Sequence, residues 1–184
     1  MEEVKIMGVD PSLRSTGLAV LSGDSASWGH LRYSKDATRA MILTSTMNYF
    51  RQAPEPGRWI VGVEGYSFGK NSSAGFTPTV EVGGTVKAAV GRWARWIEVP
   101  PQSWKWAIIG RECLQAKKGT IGKNRNYIEI ICRSLGFEAA VFESTDEADA
   151  YCIALYVRRL IDGEIKLAKT SETMRAQFKQ LMEE

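Results

Sequence analysis

Histidine is almost missing from this chain of 184 residues, which has His30 and no other. That excludes a histidine-built zinc centre and makes any imidazole-dependent triad rest on one residue. Cysteine is scarce as well: Cys113, Cys132 and Cys152 stand about twenty residues apart and are odd in number. With no C-x-x-C pair, neither a zinc ribbon nor a disulfide framework fits, and free thiols point to a reducing compartment. No apolar run approaches the ~20 residues of a membrane span. A strand pattern begins by Val4, leaving no room for a targeting segment. The expectation is a soluble intracellular, cytoplasmic protein with no membrane partner. Charge of either sign is also in short excess, with 24 Lys and Arg against 21 Asp and Glu for a net +3, too little to name a partner. The length predicts one domain able to bury roughly 70% of its unfolded surface without staples or metal.

What is present is an ordered series of short apolar segments. Val4–Val9 is an apolar strand stopped by the turn Asp10-Pro11-Ser12, and Thr16–Leu21 and Ser27–Tyr33 follow after close turns. Such spacing predicts an antiparallel meander. Asp36–Arg51 has helical periodicity, with Ala40, Ile42, Leu43, Met47 and Phe50 on one face, and Pro54 and Pro56 end it. Trp59–Val63 is continuously apolar, as in a strand buried on both faces, and ends at Glu64. A Gly/Ser/Asn-rich loop is expected over 65–78, a helix over Thr79–Trp93, a strand over Trp96–Val99 and a short helix over Ser103–Ile109. Beyond a polar loop at 110–122, Lys123–Leu135 and Thr145–Ile161 read as helices closed by Gly136 and Gly163. The order predicts one α/β domain over residues 1–163, a mixed sheet flanked by helices, with a charged tail at 164–184 that is either helical or disordered.

Acidic residues fall at the ends of these elements. Asp10 ends the first strand and Glu64 the fourth; if those strands are neighbours, both acids project from one sheet edge. Asp146 and Asp149 are three apart in the first turns of a helix and share a face. Oxygen ligands of this kind suit Mg²⁺ or Mn²⁺. Simpler roles compete: Asp10 before Pro11 can open a turn. Ser144 with Glu147 forms a capping-box pattern, and for Glu147 that role is preferred.

The sequence around these acids resembles the RuvC-type Holliday junction resolvases. The resemblance rests on Gly8-Val9-Asp10-Pro11-Ser12-Leu13-Arg14-Ser15-Thr16-Gly17, on Val63-Glu64 followed by Phe68, Lys70 and Asn71, and on Pro101-x-x-x-Lys105. It continues through Lys123, Asp146-Glu147-Ala148-Asp149-Ala150 and Ile153-Ala154, keeps motif order and spans Val4 to Leu160. It implies a ribonuclease H-like fold with a five-stranded sheet, a homodimer, and cleavage of four-way DNA junctions with two Mg²⁺ per active site, Mn²⁺ able to substitute. Asp10, Glu64, Asp146 and Asp149 would be the ligands. Ser12-Leu13 in place of a glycine-containing turn, a Phe68 set one position further from Glu64, and a long 110–122 segment mark a divergent or phage-type member.

The basicity is local. From Lys87 to Gly136 ten Lys or Arg face three Glu, a charge of +7 that leaves the rest of the chain at −4. Concentration of this kind fits a phosphate-binding face. Lys105, Lys117, Lys118, Lys123 and Arg125 are the candidate DNA contacts, and Lys105 and Lys123 could also offset charge at a scissile phosphate. Phe68, in its Gly/Ser-rich loop, could wedge at a branch point, with Lys70 and Asn71 beside it and Tyr66 and Phe76 as weaker aromatics. Trp93, Trp96, Trp104 and Trp106 favour core or dimer contacts over base stacking. Helices Thr79–Trp93 and Lys123–Leu135 are the expected dimer elements. Two other readings remain: a broader nuclease for forks, flaps or RNA, and a branched-DNA binding protein without activity.

Overall fold

A computed structural model describes residues 3–66, 76–110, 124–137, 141–166 and 172–182, the side chains of 76–78, 124–126, 172–174 and 182 excepted. Strands β1 (Val4–Asp10), β2 (Ser15–Ser22) and β3 (Ser25–Arg32) form the expected antiparallel meander. After helix α1 (Arg39–Phe50), β4 (Arg58–Glu64) returns parallel to β1, pairing Gly8 with Gly62 and Val9 with Val63. Helix α2 (Phe76–Val90) leads to β5 (Arg95–Val99), parallel to β4, so the sheet order is β3-β2-β1-β4-β5. A short α3 (Pro101–Trp104) runs into a π-helical turn, Lys105–Ile109; α4 (Asn124–Ser134), α5 (Thr145–Ile161) and α6 (Glu172–Met182) complete the chain.

Strand alternation divides the core between the two sheet faces. Ile6, Ala19, Leu21, Ile60, Ile97 and Val99 pack under α5 with Trp104, Ile131, Ile153 and Val157. Met7, Val9, Leu18, Val61 and Val63 pack under α1 and α2 with Phe50, Val86, Ala89 and Val90. The same alternation puts Gly8 and Asp10 on the α5 face with Ile6, Gly62 and Glu64 with Ile60, and Gly17 with Ala19. Glycine at two of these places lets the helix lie against the strands. A Cβ on Gly8 would run into the Ala150 carbonyl oxygen, and one on Gly17 into the Asp146 carbonyl. The sequence thus lowers the first turns of α5 onto the sheet beside Asp10.

Several local expectations are corrected. Helix α1 begins at Arg39, because Thr38 Oγ1 accepts from Met41 N at 3.3 Å and sets the boundary. Helix α2 begins at Phe76, with Pro78 inside its first turn, where a missing N–H costs nothing. Its end is Val90, and the next residues turn back through an Ala94 N to Val90 O bond of 2.9 Å. The tail contains α6, packed on edge strand β5: Gln177 Oε1 accepts from Glu98 N at 3.0 Å, and Leu181 is buried. An edge strand with unpaired N–H groups is covered in this way. Cys132 and Cys152 are free and buried. Among the described residues no helix is long and apolar enough to cross a membrane.

Candidate active site

Because β1 and β4 are parallel neighbours in register, Asp10 and Glu64, the last residue of each, meet at one edge of the sheet. Asp10 is 9% exposed. Burial holds its carboxyl well above the usual carboxylate range, and Glu64, Asp149 and Asp146 push it the same way. Asp10, at the end of β1, thus lies near enough to Glu64 on β4 and to Asp146 and Asp149 on α5 to feel all three charges.

Each acid has an identifiable support. Glu64 Oε1 accepts from the indole Nε1 of the fully buried Trp104 at 3.0 Å. Asp149 Oδ1 accepts from Tyr127 Oη at 2.7 Å. Burial, then the Asp149 charge, drives the Tyr127 phenol far upward, so it stays a donor. Cys152, one turn on, is also raised by burial and by Asp149. Lys105 Nζ lies 3.8 Å from Asp149 Oδ2 and 4.7 Å from the centre of the Trp104 ring, partly offsetting the negative charge. Asp146 sits in the first turn of α5, whose N-terminal dipole favours anions.

Hard oxygen donors crowded until one resists ionisation are a donor set for divalent cations such as Mg²⁺ or Mn²⁺, which would relieve the repulsion. The residues present therefore fit the ions expected from the sequence. Among the described residues, the only three metal-capable side chains with ligand atoms all within 4.8 Å of one another are His30, Glu143 and Glu147. No three of Asp10, Glu64, Asp146 and Asp149 come that close together.

Of the residues expected to touch DNA, Lys105 stands at the site. Phe68, Lys70, Asn71, Lys117, Lys118 and Lys123 lie outside the described residues, and of Arg125 only the backbone is described. Tyr66 is tied inward, its hydroxyl donating to Val80 O at 2.6 Å. Lys87, counted in the basic segment, is bonded to Glu98 and held over the rings of Tyr66 and Trp96, with a side chain only 12% exposed. The segment charge thus overstates what phosphate can reach. Trp93, Trp96 and Trp104 pack in the core as expected, whereas Trp106 is 47% exposed.

Glu147 departs from a simple capping box. Its N–H donates to Ser144 Oγ at 3.2 Å, but its carboxylate accepts from Glu143 N at 2.7 Å and from the ring of His30. Sequence reasoning missed Tyr127, Trp104 and His30 as partners of this site. All three look like core or strand residues until the chain is folded.

The α/β fold is similar to that of solved RuvC structures. Thermus thermophilus RuvC in complex with a Holliday junction substrate superposes with a TM-score of 0.61 at 19% identity, over 87% of this chain and 96% of that one. A structure of Thermus thermophilus RuvC alone gives 0.59 at 20% identity, over 86% and 96%. The yeast mitochondrial Holliday junction resolvase gives 0.50 at 15% identity, over 95% and 80%. No protein-family model matches the sequence, and no curated protein matches it.

Proposed function

We propose that this protein is a divalent-metal-dependent endodeoxyribonuclease that resolves four-way DNA junctions by paired, symmetric nicks. The observation that carries the reading is that Asp10, buried at the end of β1, feels the charges of Glu64 at the end of β4 and of Asp149 and Asp146 on α5. A module that only bound DNA would have no use for four carboxylates gathered where phosphates must approach. The likeness to a resolvase that has been captured on a junction supports branched DNA as the substrate.

In this reading Asp10, Glu64, Asp146 and Asp149 hold two Mg²⁺, with Mn²⁺ able to substitute. The ions supply the acidity that makes water a nucleophile at neutral pH and shield charge on the departing 3′ oxygen. Tyr127 and Trp104 each occupy one oxygen of Asp149 and Glu64, fixing which lone pairs remain for metal. Lys105, next to Asp149, offsets negative charge at the scissile phosphate; Lys123 shares that role. Phe68, Lys70, Asn71, Lys117, Lys118 and Arg125 contact the junction. Residues 1–163 form the nuclease unit, and the 164–184 segment braces β5 through α6. A homodimer completes the function, since a two-fold junction needs two equivalent sites and a C2 dimer provides them; α2 and α4 are the interface elements.

The test is cleavage of a labelled four-way junction beside a fork, a flap, an RNA–DNA hybrid and a linear duplex. Each is tried with Mg²⁺, Mn²⁺ or chelator, using wild type and Asp10→Asn. Paired nicks in the junction, lost in chelator and in the variant while binding persists, are expected. Equal cutting of forks or flaps would replace the junction by branched DNA in general. Binding with no metal-dependent cleavage would overturn the nuclease reading.

A further inference from the structure

One buried ionisable pair is left over from this mechanism. His30 and Glu147 come from opposite ends of the chain, and their side chains are 11% and 4% exposed. The strand register explains how they meet. Asp10 pairs with Gly17 across β1 and β2, and Gly17 pairs with His30 across β2 and β3, so the three form one row on one face of the sheet. The middle position of the row has no side chain, and the backbone of Asp146 occupies that space. From the far end, the His30 ring reaches over to Glu147 in the next residue of the helix.

Glu147 is held at every polar atom it offers to this turn. One carboxylate oxygen accepts from His30 Nδ1 and the other from Glu143 N at 2.7 Å, while its own N–H donates to Ser144 Oγ at 3.2 Å. A glutamate whose only task is helix capping sits at the surface. Burying a carboxylate is unfavourable unless its oxygens are satisfied, and a specific pair therefore fixes where it lies. Asp146 precedes it by one residue and Asp149 comes two residues later.

We propose that His30 and Glu147 are a positioning pair: by anchoring the first turn of α5 to β3, they set where Asp146 and Asp149 stand relative to Asp10. The inference rests on the metal-nuclease reading. It assigns neither residue a contact with metal or DNA. His30 acts through Glu147, and Glu147 through the helix backbone. Removing a group that orients metal ligands from behind typically costs 10–100-fold in metal affinity or rate. The neighbouring Glu143 carboxylate is exposed, so an ion held by His30, Glu143 and Glu147 together is the competing explanation to be tested.

The experiment uses the full chain as wild type, His30→Ala, His30→Asn and Glu143→Ala, each checked for folding by circular dichroism. The readouts are Mn²⁺ affinity by calorimetry, amide hydrogen exchange over residues 145–149 without metal, and single-turnover junction cleavage. His30→Ala is expected to weaken Mn²⁺ binding by about 10–100-fold and to speed exchange in that turn. It should lower the maximal rate while leaving junction affinity within about twofold. Asparagine places an amide N–H where Nδ1 stood, so His30→Asn should recover most of the metal affinity. Glu143→Ala should leave it unchanged.

The proposal is overturned if folded His30→Ala keeps wild-type Mn²⁺ affinity and exchange, or if asparagine gives no rescue. It is also overturned if Glu143→Ala loses Mn²⁺ as fully as His30→Ala, which would make the trio itself a metal site. If wild type cuts no branched DNA, the nuclease reading fails. The exchange and Mn²⁺ measurements still decide the positioning role in that case.

Discussion

Substituting Gly17 by alanine probes how the strand sets the site without touching any carboxylate. The new Cβ would overlap the backbone carbonyl of Asp146, and the neighbouring Glu147 nitrogen would lie 3.0 Å away. Backbone cannot rotate aside as a side chain can, so the start of α5 must retreat by about 1 Å to reach even a tight contact. That shift carries Asp146 away from Asp10. A misplacement of about 1 Å at reacting groups can cost about 100-fold in rate. Overpacking of this kind costs about 1–3 kcal/mol of stability. At about 2–4 °C per kcal/mol for a chain of this size, the melting temperature should drop by about 2–12 °C. The matched control is Gly84→Ala, at an exposed position of α2 where a Cβ meets nothing within 4 Å. Helix propensity makes that change neutral or stabilising by up to about 1 kcal/mol. Single-turnover junction cleavage at saturating Mg²⁺ should show Gly17→Ala about 100-fold slower than wild type, while thermal unfolding should find Gly84→Ala no less stable than wild type. A folded Gly17→Ala protein that cleaves at the wild-type rate would refute the claim that close helix–strand approach sets the site.

Asp10→Asn should have opposite effects with and without metal. Burial and the surrounding acids raise the Asp10 pKa in the folded chain, so its stabilising contribution is complete below the unfolded value and is lost as pH rises through the folded one. Without metal, wild type should therefore weaken toward neutral pH, and the variant should melt higher at pH 7. Mg²⁺ at a hundred times its dissociation constant should stabilise wild type by about 2.7 kcal/mol, or about 5–11 °C, and barely move the variant; identical shifts would contradict a site built around Asp10. Tyr127→Phe removes the hydroxyl on Asp149 while keeping the ring, so cleavage should slow about tenfold with junction affinity unchanged. A wild-type rate would show that Tyr127 does not orient Asp149. Leu181→Ala, at a buried position of α6, should cost about 2–5 kcal/mol in chemical denaturation, as a core residue does. A cost near zero would make α6 an appendage to the core.

The parts of this fold legible in the sequence are those governed by short-range patterns. The short apolar runs Val4–Val9 and Trp59–Val63 located both strands and put their acids at the ends. The helix over Thr145–Ile161 was readable to the residue, because Ser144 caps it and Gly163, with φ +74°, stands just past its end. Patterns at one remove were not readable. Nothing in Ser103–Ile109 distinguishes a π-helical turn from an α-helix. Pro78 looked like a loop residue because a first-turn proline and a loop proline differ only in the conformation of the residues after them. Trp104 and Tyr127 show their role only through hydrogen bonds to residues 40 and 22 positions away, and His30 through one 117 away. The basic segment misled in part. Lys87 adds to the count, yet Glu98 and two aromatic rings hold it.

The central claim is that four carboxylates from β1, β4 and α5 hold the metal ions. Anomalous diffraction at the manganese edge, from crystals grown with Mn²⁺, tests it most directly. The account predicts two peaks about 4 Å apart, bounded by Asp10, Glu64, Asp146 and Asp149. Manganese found only between His30, Glu143 and Glu147, with the four acids empty, would contradict it.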